Sequence, residues 1–175
     1  MHVIYLSLGS NIGDRTENIE HALTRLQHAG VKVTKRSTLY LTEPLELREQ
    51  EWFLNCAVEA ETELPAIELL HVLQHIEQEA GRQRLVRSGP RTLDIDLLLF
   101  DSDILHGQEL DIPHPRMTIR RFVLVPLNEI APAFRHPELH RTIAELLAET
   151  ADRSNVHRWV KPGAGGPSRK DEPRN

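Results

Sequence analysis

The sequence holds one cysteine, Cys56, and only 5% aromatic residues. A lone thiol excludes an internal disulfide and a cysteine-based zinc site. Cys56 follows Leu54-Asn55 in an apolar run, which is the setting of buried filler rather than of a nucleophile. Positive charge is not in excess. The formal net charge is −5, which argues against a general nucleic-acid binder. No apolar stretch is long enough to cross a membrane, and the N-terminus lacks a signal-peptide pattern. Gly9-Ser10-Asn11-Ile12-Gly13 has neither the glycine spacing of a dinucleotide fingerprint nor the Gly-Lys-Ser/Thr ending of a P-loop. It reads as a tight turn that lets backbone approach a ligand. No internal repeat is present. What remains is a cytoplasmic enzyme or binding domain. Its 175 residues suit one domain with a sizeable core.

The hydrophobic pattern gives the element order. Residues 2–8 are short, apolar and partly β-branched, as in a buried strand. Ile19, Ala22, Leu23 and Leu26 recur at helical spacing between Asp14 and Gln27. Asp14 or Thr16 caps that helix and Ala29-Gly30 ends it. Residues 31–41 form a second strand, 42–51 a polar loop, and 52–62 a third strand with Phe53, Asn55, Ala57 and Glu59 on one face. Pro65 opens a second helix that stops near Gly81. Residues 82–90 are a basic loop and 93–100 a fourth strand. An edge hairpin through Leu110, a rigid loop at 113–116 and short helices at 122–128 and 142–149 complete the pattern. The order βαββαβ predicts an α+β, ferredoxin-like sandwich, a mainly antiparallel sheet with helices packed on one face. The domain is expected to span residues 1–160. The tail at 161–175 lacks the apolar residues to order itself.

Asp94 and Asp96 are the centre of the chemistry. They stand two residues apart where a Gly89-Pro90 turn enters the apolar strand Leu97-Leu98-Leu99-Phe100. Side chains at i and i+2 of a strand share a face. The plain alternative is a solvated acidic face. Against it, two like charges on one face repel unless a cation such as magnesium sits between them. Arg82, Arg84, Arg87 and Arg91, with Arg116, Arg120 and Arg121, flank the pair. Any one of them reads as surface charge. Together they form a phosphate clamp, because guanidinium offers planar bidentate bonds to phosphate oxygens. His114, held between Pro113 and Pro115, is either a turn histidine or a hydrogen-bond donor to nucleotide or phosphate. Phe53, Asn55 and Phe122 are either core or a stacking site for a flat heterocycle whose edge Asn55 reads. The pairs His71/His75 and His136/His140 have i,i+4 spacing but no third metal ligand. A non-catalytic nucleotide-binding domain and a metal-dependent nuclease are the competing classes. Retention of both aspartates and of Arg91 counts against the first, and the acidic net charge counts against the second.

With these residues in place, the chain resembles the 6-hydroxymethyl-7,8-dihydropterin pyrophosphokinase family of folate biosynthesis. The likeness runs through Leu8-Gly9-Ser10-Asn11, Thr42-Glu43-Pro44-Leu45, Phe53-Leu54-Asn55, Gly89 to Leu97 and Pro113-His114-Pro115-Arg116-Met117. It continues through Arg120 to Leu127 and Glu129 to Pro132. The resemblance implies transfer of pyrophosphate from ATP to the pterin hydroxymethyl group, with AMP released. It implies two magnesium ions on Asp94 and Asp96, with Arg82, Arg91 and Arg120 on phosphates. Glu77, Arg84, His114 and Arg116 would stand with the nucleotide. The pterin would lie between Phe53 and Phe122, read by Asn55 and by the Thr42, Pro44 and Leu45 loop. Neither nucleic acid nor membrane is an expected partner, and the protein is expected to be a monomer. The sequence departs from the family habit at Ser88, often a tryptophan, at Phe53, often a tyrosine, and in a basic loop without lysine.

Overall fold

The structure, a computed structural model, describes residues 1–45, 49–81 and 92–161. The basic loop, with Arg82, Arg84, Arg87, Ser88 and Arg91, lies outside the described residues, as does the tail beyond Lys161.

The elements run β1 (His2–Ser10), α1 (Arg15–His28), β2 (Val31–Arg36), β3 (Tyr40–Thr42), β4 (Phe53–Thr62), α2 (Ala66–Glu79) and β5 (Asp94–Phe100). A small hairpin of β6 (Leu105–His106) and β7 (Asp111–Ile112) follows. A 3-10 turn (Met117–Ile119), α3 (Arg121–Ile130), α4 (Ile143–Glu149) and β8 (Val156–Arg158) close the described chain. Asp14 caps α1 by accepting from the Glu17 N–H at 3.0 Å. Pro65 precedes α2, and Gly30 (φ 82°) and Gly81 (φ 80°) follow the two helices in the left-handed region that glycine tolerates.

The main sheet has the order β5-β1-β4-β3-β8, with β2 also on β4, and its pairings are all antiparallel. Taken with β2 and β3 as one interrupted strand, this is the ferredoxin-like βαββαβ arrangement. The sequence predicts a single strand over 31–41; the chain breaks it at Ser37. The Ser37 hydroxyl accepts from the Ala57 N–H at 2.9 Å, and the Thr38 N–H donates to Glu129 at 2.9 Å. Side chains thus take over main-chain partners, and the strand steps out of the ladder.

Alternate residues of the strands feed two cores. Ile4, Leu6 and Leu8 of β1, Leu54, Cys56, Val58 and Ala60 of β4, and Ile95 and Leu97 of β5 pack with Ile19, Leu26, Leu69 and Leu73 of α1 and α2. The opposite face packs Tyr5, Ala57, Leu98 and Leu99 against Val123, Leu124, Leu127, Ile143 and Leu146. The first two helices lie on one face as expected, and the C-terminal helices cover part of the other. A register shift opposite Tyr5/Leu6 lets Leu98 and Leu99 enter the same core. Cys56 is fully buried, and burial, its largest influence, pushes the thiol up to about 12. It is filler, as its sequence context suggests. Among the described residues no helix is long and apolar enough to cross a membrane.

Candidate active site

The second face of the sheet is not wholly covered. Beyond α3 it opens as a cleft lined by Ser7, Gly9, Asn55, Phe53, Asp94 and Asp96 from the strands. Thr42, Glu43, Pro44, Leu45 and Gln50 from the loop after β3 line it too, with Arg120 and Phe122 at the start of α3. A concave lining of apolar side chains with a few convergent polar groups suits a small-molecule site.

The strand register builds the floor. Gly9 pairs with Asp94 on one side and with Asn55 on the other, and Ser7 pairs with Asp96 and with Ala57. Two rows therefore cross the sheet. Asp94 and Asp96 stand at one end, roughly 6–7 Å apart along the strand, and Asn55 stands two strand spacings away, roughly 10 Å across. Gly9 and Ser7 keep the middle low. A Cβ on Gly9 would lie 2.3 Å from the Asn55 Oδ1, so only glycine lets that carboxamide lie over β1. The sequence predicts a turn at 9–13 that lets backbone approach a ligand; Gly9 lines the cleft, and the Asn55 side chain also lies against it. The Asn55 Nδ2 donates to the Thr42 Oγ1 at 2.6 Å, which orients the amide with its oxygen over the floor. Gly9→Ala is expected to lower affinity for a ring bound beside Asn55 by about tenfold, since a displaced amide forfeits a hydrogen bond. Equilibrium titration with the heterocycle checks this.

His114 joins the same end. Its N–H donates to the Leu98 carbonyl at 2.9 Å, which ties the 113–116 loop to β5. The His114 Nδ1 accepts the Arg116 N–H at 3.1 Å, so the neutral ring carries its proton on Nε2 as a donor. Burial first, then the nearby Arg120 and Arg116 guanidiniums, hold the imidazole down at about 4, partly opposed by Asp94. A histidine depressed from 6.5 to about 4 contributes stability that is complete above 6.5 and is lost as pH falls from 6.5 towards 4. In the nucleotide-free protein the His114 ring proton resonances should therefore stay fixed from pH 8 to about 5.5. His114→Gln should flatten the acid side of a plot of denaturation midpoint against pH.

Among the described residues expected at the site, Glu77, His114 and Arg116 do not line the cleft. Glu77 lies farthest from that expectation. It is buried on α2, and its Oε1 accepts the Ile95 N–H at 2.7 Å. Ile95 lies between the two aspartates, so Glu77 fixes the strand segment that aims them. Arg116 is exposed beside His114. The cation of Arg120 lies 5.6 Å from the centre of the Phe122 ring. Ser7, Glu43 and Gln50 also line the cleft without having stood out in the sequence. Ser7 left a trace as a small polar residue inside an apolar run, and Glu43 as part of the Thr42–Leu45 stretch. Of the histidine pairs, His71 meets Glu109 and His75 meets Glu79, both exposed, while His136 and His140 sit in a loop and not on a helix. Among the described residues no group of three or more His, Cys, Asp or Glu side chains is arranged to hold a metal.

The fold and this cleft place the protein among small-molecule enzymes of the kinase-type transferase class. Residues 5–132 match the family model described as 7,8-dihydro-6-hydroxymethylpterin-pyrophosphokinase (HPPK). The chain belongs to that family: it is an ATP-using pyrophosphokinase of folate biosynthesis. It is 46% identical over 159 residues to the 2-amino-4-hydroxy-6-hydroxymethyldihydropteridine pyrophosphokinase of Bacillus subtilis, covering 90% of each chain. It is 41% identical over 146 residues to the Pseudomonas aeruginosa enzyme of the same name, covering 83% of this chain and 90% of that one. Among solved structures, Plasmodium falciparum HPPK-DHPS superposes with a TM-score of 0.64 at 18% identity over 85% of this chain. The present chain spans only 43% of that one, and the likeness shows the fold.

Proposed function

We propose that the cleft transfers pyrophosphate from ATP to the hydroxymethyl group of 6-hydroxymethyl-7,8-dihydropterin, with Asp94 and Asp96 holding two magnesium ions at the meeting point of the substrates. The observation that carries this is the shared cleft face of Asp94 and Asp96, with Asn55, Phe53 and Phe122 lining the same cleft. The donor set fits magnesium. Two hard carboxylates with no third protein ligand among the described residues leave coordination positions for phosphate oxygens and water. Side by side on one strand face, Asp94 and Asp96 would hold the ions jointly. When bound, the ions supply charge neutralisation on the triphosphate and on the attacking oxygen.

The chain's own residues do the rest. Phe53 and Phe122 stack the pterin, and the Asn55 oxygen accepts from its edge, with Thr42, Pro44 and Leu45 closing that side. Arg120, with Arg82 and Arg91, grips phosphates; Arg84, Arg116 and the His114 Nε2–H face the nucleotide. Glu77 acts one step away, by holding Ile95. The pterin hydroxyl oxygen attacks the β-phosphorus, the bond from that phosphorus to the bridging α,β-oxygen breaks, and AMP leaves with the electron pair. The hydroxyl proton passes to a carboxylate or to solvent. No histidine base is needed, because attack by a neutral hydroxyl on phosphorus calls for charge neutralisation by ions and guanidiniums more than for a strong protein base. The reaction is tested by mixing protein, magnesium, ATP and the pterin and separating nucleotides. AMP equal to pterin consumed is the expected result; ADP, or pyrophosphate released without pterin, would overturn the assignment.

The domain is proposed to end near residue 160, to act as a monomer and to reside in the cytoplasm. The buried unpaired cysteine supports a reducing compartment. Trp159 still packs on the main core. Truncation from Lys161 onward should therefore leave kcat and KM within about twofold, as for surface changes away from named structural features. Truncation before β8 should not.

A further inference from the structure

The helix that carries Arg120 and Phe122 starts without a cap of its own. Its N-cap position is Arg120, which makes no side-chain cap hydrogen bond and lines the cleft, and no acidic residue stands in the first turn. The first N–H groups of a helix need partners. The partner comes from thirty-one residues away: the Asp152 Oδ2 accepts the Arg121 N–H at 2.7 Å. The other oxygen of Asp152 accepts the Ser154 N–H at 2.8 Å, which fixes the carboxylate in its own loop. That loop runs on into β8, which pairs Tyr40, Leu41 and Thr42 of β3 with Arg158, His157 and Val156. Between them, Asn155 binds Glu43 twice, the Glu43 N–H donating to the Asn155 carbonyl at 3.1 Å and the Asn155 Nδ2 to the Glu43 Oε2 at 2.7 Å. One short segment, beyond the residues the family model matches, thus grips both walls of the cleft.

We infer that Asp152 is a positioning residue for the pterin, acting through the start of α3 to set Phe122 and Arg120 against the Thr42–Leu45 wall. The inference rests on the reading of Phe122 and Arg120 as substrate contacts. A carboxylate at a helix start satisfies an orphan donor and meets the positive end of the helix dipole. Here it also links that start to the strand that carries the opposite wall. Loss of the link lets the first turn of α3 drift, and Phe122 is the second residue of that turn.

The test uses the full chain. Steady-state KM for pterin and for ATP, kcat, and thermal midpoint are measured for wild type, Asp152→Asn, Asp152→Ala, Phe122→Ala and the double variant Asp152→Ala/Phe122→Ala. Asp152→Ala is expected to raise the pterin KM by roughly tenfold, the scale of a lost N-cap. Asp152→Asn should fall between, because one acceptor remains for two N–H donors. The double variant should be little worse than Phe122→Ala alone, since residues acting through one another are not additive. A folded Asp152→Ala with unchanged pterin KM, or a double variant whose losses simply multiply, would overturn the inference while leaving the site reading intact. An unchanged pterin KM in Phe122→Ala would overturn the site reading and the role of Asp152 with it. If the alanine variant does not fold, Asp152→Asn decides alike: a raised pterin KM supports the link and an unchanged one refutes it.

Discussion

Asp96→Ala is expected to lower kcat by about a thousandfold or more, with Asp94→Ala close behind, as befits loss of a group that places charge-neutralising ions at the reacting phosphorus. The expectation follows from where the carboxylates stand. Both are half-buried at the cleft, on the face opposite Ile95 and Leu97, which pack in the core. Removing a carboxylate therefore empties no core volume, and the unfolding free energy should stay within about 0.5 kcal/mol of wild type. The two effects separate catalysis from folding. Asn at either position should rescue little, because a neutral amide oxygen is a weaker ligand for magnesium than a carboxylate. Activity against magnesium concentration checks the account: near-normal turnover by either alanine variant at low magnesium would remove the metal assignment.

Arg120→Ala is expected to cost about 2–4 kcal/mol in kcat/KM, the range for loss of one charge-stabilising donor. Its position makes the effect twofold in kind. It lies beside the Phe122 ring and near His114, so on the proposed reading it would serve both the aromatic and the phosphate side of the cleft. Loss of its charge should also let the His114 imidazole titrate at a higher pH, because that charge holds the ring down. Arg120→Lys should restore the charge but not the rate. A lysine has no planar fork for two phosphate oxygens and stacks less well on a ring. Steady-state kinetics of the two variants, with the His114 titration followed by NMR, checks both parts.

The cleft face of the sheet was legible in the sequence because strand parity is strict. Phe53, Asn55, Asp94 and Asp96 fall on the cleft side by counting twos, and the apolar residues between them fall on the other. The helices announced themselves through their spacing and through Asp14, Pro65 and the terminal glycines. Three features could not be counted out. The break at Ser37 depends on Glu129, ninety-two positions along from Ser37, whose oxygens take the Thr38 N–H and hydroxyl. Strand β8 has three residues and is recognisable only by the β3 edge it fills. The roles of Glu77 and Asp152 are argued from hydrogen bonds to main-chain N–H groups of distant elements, and a sequence carries no mark of such a bond. Gly9 shows the same limit. Its place in a glycine-containing turn predicts a backbone that approaches a ligand, and Gly9 does line the cleft; that the Asn55 amide also lies over it follows from the register alone.

The central claim is that Asp94 and Asp96 together hold the ions between the two substrates. Manganese binding followed by EPR, with the α,β-methylene analogue of ATP and the pterin both present, tests it most directly, since the methylene group blocks the bond that transfer must break. Wild type should bind two ions per chain, and Asp94→Asn and Asp96→Asn should each bind fewer and more weakly. Equal binding in all three proteins would contradict the account.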